Sequence, residues 1–186
     1  PINVWAYNNN GDWMWVDGTC KKQLMNQSMD DLFRLVVEYP PQEVGIETNG
    51  QQGAFIAWIQ NEMGSRNVYF TLSKGKQGNN PGIKSHRDKM SRFQLNAVPL
   101  FKSKKLWLPE ELKDSTELVE LLNELSLATL KGFKSKHDDQ LDTISMLAEL
   151  NSWKPSEIGT LDEEEWKPVK GSRMWDEEKL LANAVS

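Results

Sequence analysis

Residues 137–142 read His137-Asp138-Asp139-Gln140-Leu141-Asp142 and lead into an apolar run of Ile144, Met146, Leu147 and Leu150. A helix beginning there places Asp139 and Asp142 three residues apart, on one face. Carboxylates crowded together repel one another unless a cation or solvent screens them. Capping a helix takes a single Asp, and carboxylates also favour the positive end of the helix dipole, so capping by Asp138 or Asp139 is the plain alternative. Three Asp within five positions, behind a His, exceed what capping needs and point to a metal ion. A second acidic site elsewhere decides between these readings.

Glu47 supplies it. Val44-Gly45-Ile46 reads as a short buried strand with Glu47 at its carboxyl end, where ligands of α/β sheets gather. A lone strand-end Glu is ordinarily solvated or capping. Joined to Asp139 and Asp142, it gives the donor set of a two-metal phosphodiesterase, in which hard divalent cations lie about 3.5–4 Å apart between oxygen ligands.

The elements that must position these residues follow from periodicity. Residues 2–7 and 13–16 alternate and are rich in β-formers, with Asn8-Asn9-Asn10-Gly11 as the turn of a hairpin. Helical spacing over 28–39 ends at Pro40-Pro41. A helix is expected over 50–63 and a strand over 67–72, so strand, helix and strand alternate from Val44 and favour parallel pairing. Residues 75–81 form a Gly- and Asn-rich loop, 84–95 has helical character, 106–108 is a short strand, and 116–130 is an amphipathic helix bearing Leu118, Val119, Leu121, Leu122 and Leu125.

Charge is unevenly spread along the 186 residues, whose net value is −5. Lys74, Lys76, Lys84, Arg87, Lys89, Arg92, Lys102, Lys104 and Lys105 are opposed within their segment only by Asp88, and phosphate is the natural partner of such a stretch. Beyond Lys154 the balance turns acidic, with Trp166 and Trp175 interleaved, which suggests a peripheral extension. Two units are expected, a domain over 1–154 and an acidic, Trp-bearing extension over 155–186. No apolar run approaches the roughly 20 residues that span a bilayer, and a basic-then-apolar leader pattern is absent from the first residues. Cys20 is the sole cysteine, which rules out an internal disulfide and makes a reducing compartment the default. One Cys and two scattered His also exclude a zinc module in practice. Gly78-Asn79-Asn80-Pro81-Gly82-Ile83-Lys84-Ser85 fails the spacing of a phosphate-binding loop, which argues against an ATPase.

The ordered set of Val44-Gly45-Ile46-Glu47-Thr48-Asn49-Gly50-Gln51-Gln52, Lys89-x-x-Arg92-Phe93 leading to Pro99-Leu100-Phe101, Leu106-Trp107-Leu108-Pro109 and the HDDxxD cluster resembles the C-terminal nuclease domain of tailed-bacteriophage large terminase subunits. The resemblance runs from about Ile2 to Leu150. It implies an α/β, RNase H-like (RuvC-like) mixed β-sheet flanked by helices, and an Mg²⁺- or Mn²⁺-dependent endonuclease that cuts concatemeric double-stranded DNA during viral genome packaging. Carried over, Glu47, Asp139 and Asp142 are the catalytic ligands of two ions, and Asp138 is an adjacent or alternate ligand. The carboxylates would fix the ions rather than attack. Lys84, Arg87, Lys89 and Arg92 line the DNA groove, the plain alternative being a solvated helix face. His137 orients a ligand or touches phosphate, the plain alternative being a neighbour of the cap.

The implied partners are double-stranded DNA, the portal, the small terminase subunit and an upstream ATPase domain, at the procapsid in the host cytoplasm and not in a membrane. In that family a further metal-binding Asp lies on a central strand preceding the hairpin. Here the chain opens on Pro1, and Asp12 and Asp17 fall at the hairpin turn and at the end of its second strand, so that first central strand is expected upstream. The rival reading is a catalytically silent DNA-binding or docking domain of the same fold.

Overall fold

Alternation along 2–19 does build a hairpin. In a computed structural model that describes residues 1–48, 53–76, 78–84, 87–129, 132–133 and 139–158, β1 (Ile2–Tyr7) pairs antiparallel with β2 (Trp13–Thr19), with a bulge between Val4 and Trp5. The Asn8 side chain closes the turn by accepting from the amides of Asn10 and Asp12, and Gly11 takes the left-handed conformation at φ 77°. β3 (Leu106–Trp107) adds to β2 in parallel, giving a mixed three-stranded sheet in the order β1-β2-β3. A separate antiparallel pair joins β4 (Ala128–Thr129) to β5 (Gly132–Phe133). The chain divides into two units, Pro1–Pro155 and Ser156–Ser186.

Two apolar clusters organise the larger unit. Helix α1 (Met25–Glu38) turns Met29, Leu32, Phe33 and Val36 inward at 3.6-residue spacing, and α2 (Gly53–Arg66) answers with Ile56, Ile59 and Met63. Leu72, Val44 and Ile46 complete that cluster. The second forms where Trp13 and Trp15 of β2 meet Leu118 and Leu121 of α5 (Thr116–Ser126) and Leu141 and Ile144 of α6 (Asp139–Met146). α5 starts on Ser115, whose hydroxyl accepts from the Leu118 amide. Its Val119 and Leu122 remain exposed, so its apolar stripe is narrower than the sequence pattern suggested.

The expected strands at 44–47 and 67–72 are reduced to two isolated parallel bridges, Val44 to Leu72 and Glu47 to Ile83. Parallel pairing is as expected, but Tyr69 points outward and the ladder begins only at Thr71. Ser73 donates to the Val44 carbonyl, and the chain then loops out and returns at Ile83, which donates to the Ile46 carbonyl and accepts from the Thr48 amide. Gly82 sits at φ 106°, its amide donates to Ser73, and a Cβ there would run into the Thr48 side chain. We expect Gly82→Ala to lower stability by at least about 1 kcal/mol, read as a lower urea midpoint at unchanged slope.

The cationic helix expected over 84–95 starts later. Asp88 accepts from the Ser91 amide and hydroxyl and so caps α3 (Lys89–Arg92), leaving Lys84 and Arg87 on the preceding loop. α3 runs on through a π-helical stretch, Phe93–Ala97, into α4 (Val98–Lys102), where Pro99 has no N–H to continue the ordinary ladder. After α6 the chain passes through a 3₁₀ turn, Leu147–Glu149, before α7 (Pro155–Ile158).

Candidate functional site

Glu47 is aimed by strand alternation. Val44 and Ile46 face the cluster under α1 and α2, so Gly45 and Glu47 face the opposite side, where α6 and the turn after it lie. Gly45 permits close approach there, since a Cβ would come within 2.9 Å of the Leu150 side chain and 3.0 Å of Ile83. Leu150, at the end of the turn that follows α6, therefore packs directly beside the segment that carries Glu47.

Asp142 meets Glu47 at one guanidinium. Arg92 Nη1 donates to Glu47 Oε1 at 2.7 Å, while Nη2 donates to Asp142 Oδ2 at 2.9 Å and lies 2.8 Å from Oδ1. The Arg92 and Asp142 side chains are only 9% and 8% exposed, and Glu47 24%. Burial, then the negative charge of Glu47, push the Asp142 carboxyl up to about 6, against the opposing pull of Arg92 and Lys89. Two carboxylates 95 residues apart in sequence thus share a low-dielectric site that calls for positive charge.

Asp139 lies one turn earlier and is 56% exposed, with Lys89 Nζ at 3.1 Å from its Oδ1. Among the described residues no three His, Cys, Asp or Glu side chains converge as a metal-binding group. Of the expected trio, Glu47 and Asp142 meet at Arg92, while Asp139 stands separate and exposed. Asp138 and His137 lie outside the described residues.

The four cations expected to line a DNA groove divide into two pairs. Lys89 and Arg92 are turned onto α6, and Asn96 extends the row by donating to the Ser145 carbonyl at 3.0 Å. The offsets 89 to 139, 92 to 142 and 96 to 145 show two helical segments side by side and running the same way. Lys84 and Arg87, with Lys74 and Lys76, line a cleft of about 420 Å³ that Arg92 and Asn96 also border. A cationic cleft therefore opens beside the carboxylate pair.

Three residues that position α6 carried no functional assignment from sequence. Glu124 of α5, 5% exposed, accepts from the amides of Gln140 and Leu141 at 3.0 and 3.2 Å. Asn3 of β1 donates to Gln140 Oε1 and Thr143 Oγ1, both at 2.8 Å, and accepts from Trp15 Nε1. Gln140 donates in turn to the Glu117 carbonyl. The signal for Glu124 was there to read: an acid three residues after Leu121 and one before Leu125 falls on the buried stripe.

Asp12 and Asp17 are engaged elsewhere. Asp12 pairs with Lys105 at 2.8 Å, and Lys105 and Asn8 hold its carboxyl below the usual range; Asp17 accepts from the Gly18 amide. The half-buried Cys20 thiol is pushed up to about 11, first by burial and then by its hydrogen bond to Glu120. Among the described residues no helix is long and apolar enough to cross a membrane. Compared with protein-family models, curated proteins and solved structures, the chain matches none.

Proposed function

We propose that the unit Pro1–Pro155 is an RNase H-like, divalent-metal-dependent endonuclease acting on double-stranded DNA, of the kind that serves a viral packaging terminase. The observation that carries this reading is the convergence of Glu47 and Asp142 on one buried positive charge beside a lysine- and arginine-lined cleft. Their oxygens are hard donors that suit Mg²⁺ or Mn²⁺. Glu47 and Asp142 would hold the ions, with Asp139 as the third carboxylate once released from Lys89. When bound, a pair of such ions supplies a nucleophilic water at neutral pH and neutralises charge at the leaving 3′ oxygen.

The chain's own residues supply the remainder. Lys74, Lys76, Lys84 and Arg87 grip backbone phosphates, which gives binding that weakens steeply with salt and reads little sequence. Glu124 and Asn3 keep the first turn of α6, and with it Asp142, at a fixed distance from Glu47. On this reading the protein works at the procapsid in the host cytoplasm, with the portal, the small terminase subunit and an upstream ATPase domain.

The charge row between α3 and α6 favours a second reading, a silent DNA-binding or docking domain, because Asp139 and Asp142 each already meet a cation. Supercoiled plasmid with Mn²⁺ separates the two. The endonuclease reading expects nicked and linear products that chelator prevents and Glu47→Ala removes. DNA binding without cleavage would leave the silent domain, and cleavage indifferent to Glu47→Ala would overturn the assignment of Glu47 to the site.

A further inference from the structure

Arg92 is a cation built into the place where a metal-binding pair of carboxylates would need one. Its side chain is as buried as that of Asp142, and its two terminal nitrogens reach different acids, one on a strand and one on a helix. A planar guanidinium fork suits this task, since each arm can bind a separate carboxylate while the charge stays delocalised. The ordinary role for such an arginine is a permanent structural bridge. Three features argue for a replaceable one.

First, the site sets two acids against one guanidinium, Glu47 on one arm and Asp142 on the other. One positive charge faces two carboxylates, and a doubly charged ion would balance them more fully. Second, Arg92 borders the cationic cleft, so its head group has an aqueous, phosphate-binding direction in which to turn. Third, Arg92 is the last residue of α3, directly before the π-helical stretch; such irregular turns adapt more readily than an α-helix and recur at functional sites.

We propose that Arg92 is an internal counter-ion that competes with divalent metal for Glu47 and Asp142, and that on metal binding its guanidinium leaves the pair for the cleft, where it binds a DNA phosphate. This rests on the reading of Glu47 and Asp142 as metal ligands. It makes Arg92 a brake on metal binding in the absence of DNA, because two charge-assisted hydrogen bonds must break before an ion can enter. It also couples the two ligands: a phosphate in the cleft offers Arg92 a new partner, so DNA and metal should each tighten binding of the other.

The test compares wild type, Arg92→Gln, Arg92→Lys and the double variant Arg92→Gln/Asp142→Asn, with Mn²⁺ alone as the probe, read by calorimetry and by loss of the free Mn²⁺ EPR signal. Arg92→Gln is expected to bind Mn²⁺ about tenfold more tightly than wild type, and to melt lower in chelator with a larger rise on adding Mn²⁺. Arg92→Lys retains a charge but can hold only one acid well, so it should fall between the two and covers the case in which the glutamine variant does not fold. The double variant should regain stability in chelator and lose Mn²⁺ binding. In wild type, the Arg92 Nε–H NMR signal should shift toward its solvent-exposed position on titration with Mg²⁺.

Equal or weaker Mn²⁺ binding by both single variants overturns the exchange while leaving the metal site standing, as does an Arg92 signal that Mg²⁺ does not move. Failure of every form, wild type included, to bind Mn²⁺ overturns both the exchange and the metal reading beneath it.

Discussion

Asp142→Asn is expected to lower metal-dependent nicking of supercoiled DNA by about 10²–10³-fold while leaving the fold in place. The substitution keeps shape and removes the more buried of the two charges that meet at Arg92. Glu47 retains its own bond to the other arm of the guanidinium, so the fold loses little. Stability should change in a diagnostic way with pH. The Asp142 carboxyl stands at about 6 in the folded chain against 3.8 ordinarily, so the folded state binds this proton more tightly than the unfolded one. Its contribution is fully present below about pH 3.8 and is lost as pH rises to about 6. Wild type should therefore show a falling component of stability across that window, measured by urea unfolding from pH 3.5 to 7. Asp142→Asn should lack that component. Asp139→Asn, at an exposed site, should cost about tenfold in rate.

The contrast between these two acids shows where sequence was legible. The short apolar run Val44-Gly45-Ile46 put Glu47 at the end of an extended segment, and 3.6-residue spacing found α1, α2 and α5 to within a few residues. Those signals describe which face of an element is buried. They do not say which element covers it. The basic helix and the acidic helix were each readable as a solvated or ligand-binding face, yet in the fold Lys89 and Arg92 meet Asp139 and Asp142 at a constant offset of 50 residues. Nothing local encodes that offset, because it is set by how the hairpin, α5 and the strand at Val44 pack together. Arg92 was read as a phosphate contact for this reason. Boundaries failed for local reasons instead: Asp88 caps α3 four residues after Lys84, and only Leu72 of the expected strand over 67–72 forms a bridge.

Glu124→Ala should destabilise the protein by about 2–4 kcal/mol, as two hydrogen bonds to a charged group are lost from a buried site. The Glu124 carboxylate accepts from the amides of Gln140 and Leu141 in the first turn of α6, where no carbonyl of the same helix can serve them. It also sits at the positive end of the α6 dipole, where negative charge is favoured. Alanine leaves both amides without that acceptor in a region where Gln140 and Leu141 are nearly inaccessible to water. Glu124→Gln preserves one acceptor oxygen but not the charge, so about half the loss is expected. Urea unfolding measures the first effect, and hydrogen exchange at the Gln140 and Leu141 amides locates it. Because Asp142 follows within the same turn, fraying there loosens the distance between Asp142 and Glu47. Mn²⁺ binding should then weaken more in Glu124→Ala than in a core variant of equal stability, such as Leu32→Ala, whose side chain belongs to the cluster of α1 and α2, which includes no α6 residue. Equal weakening in the two would mean that Glu124 acts on the site only through global stability, and that the strand and the guanidinium of Arg92 alone set the geometry of the pair.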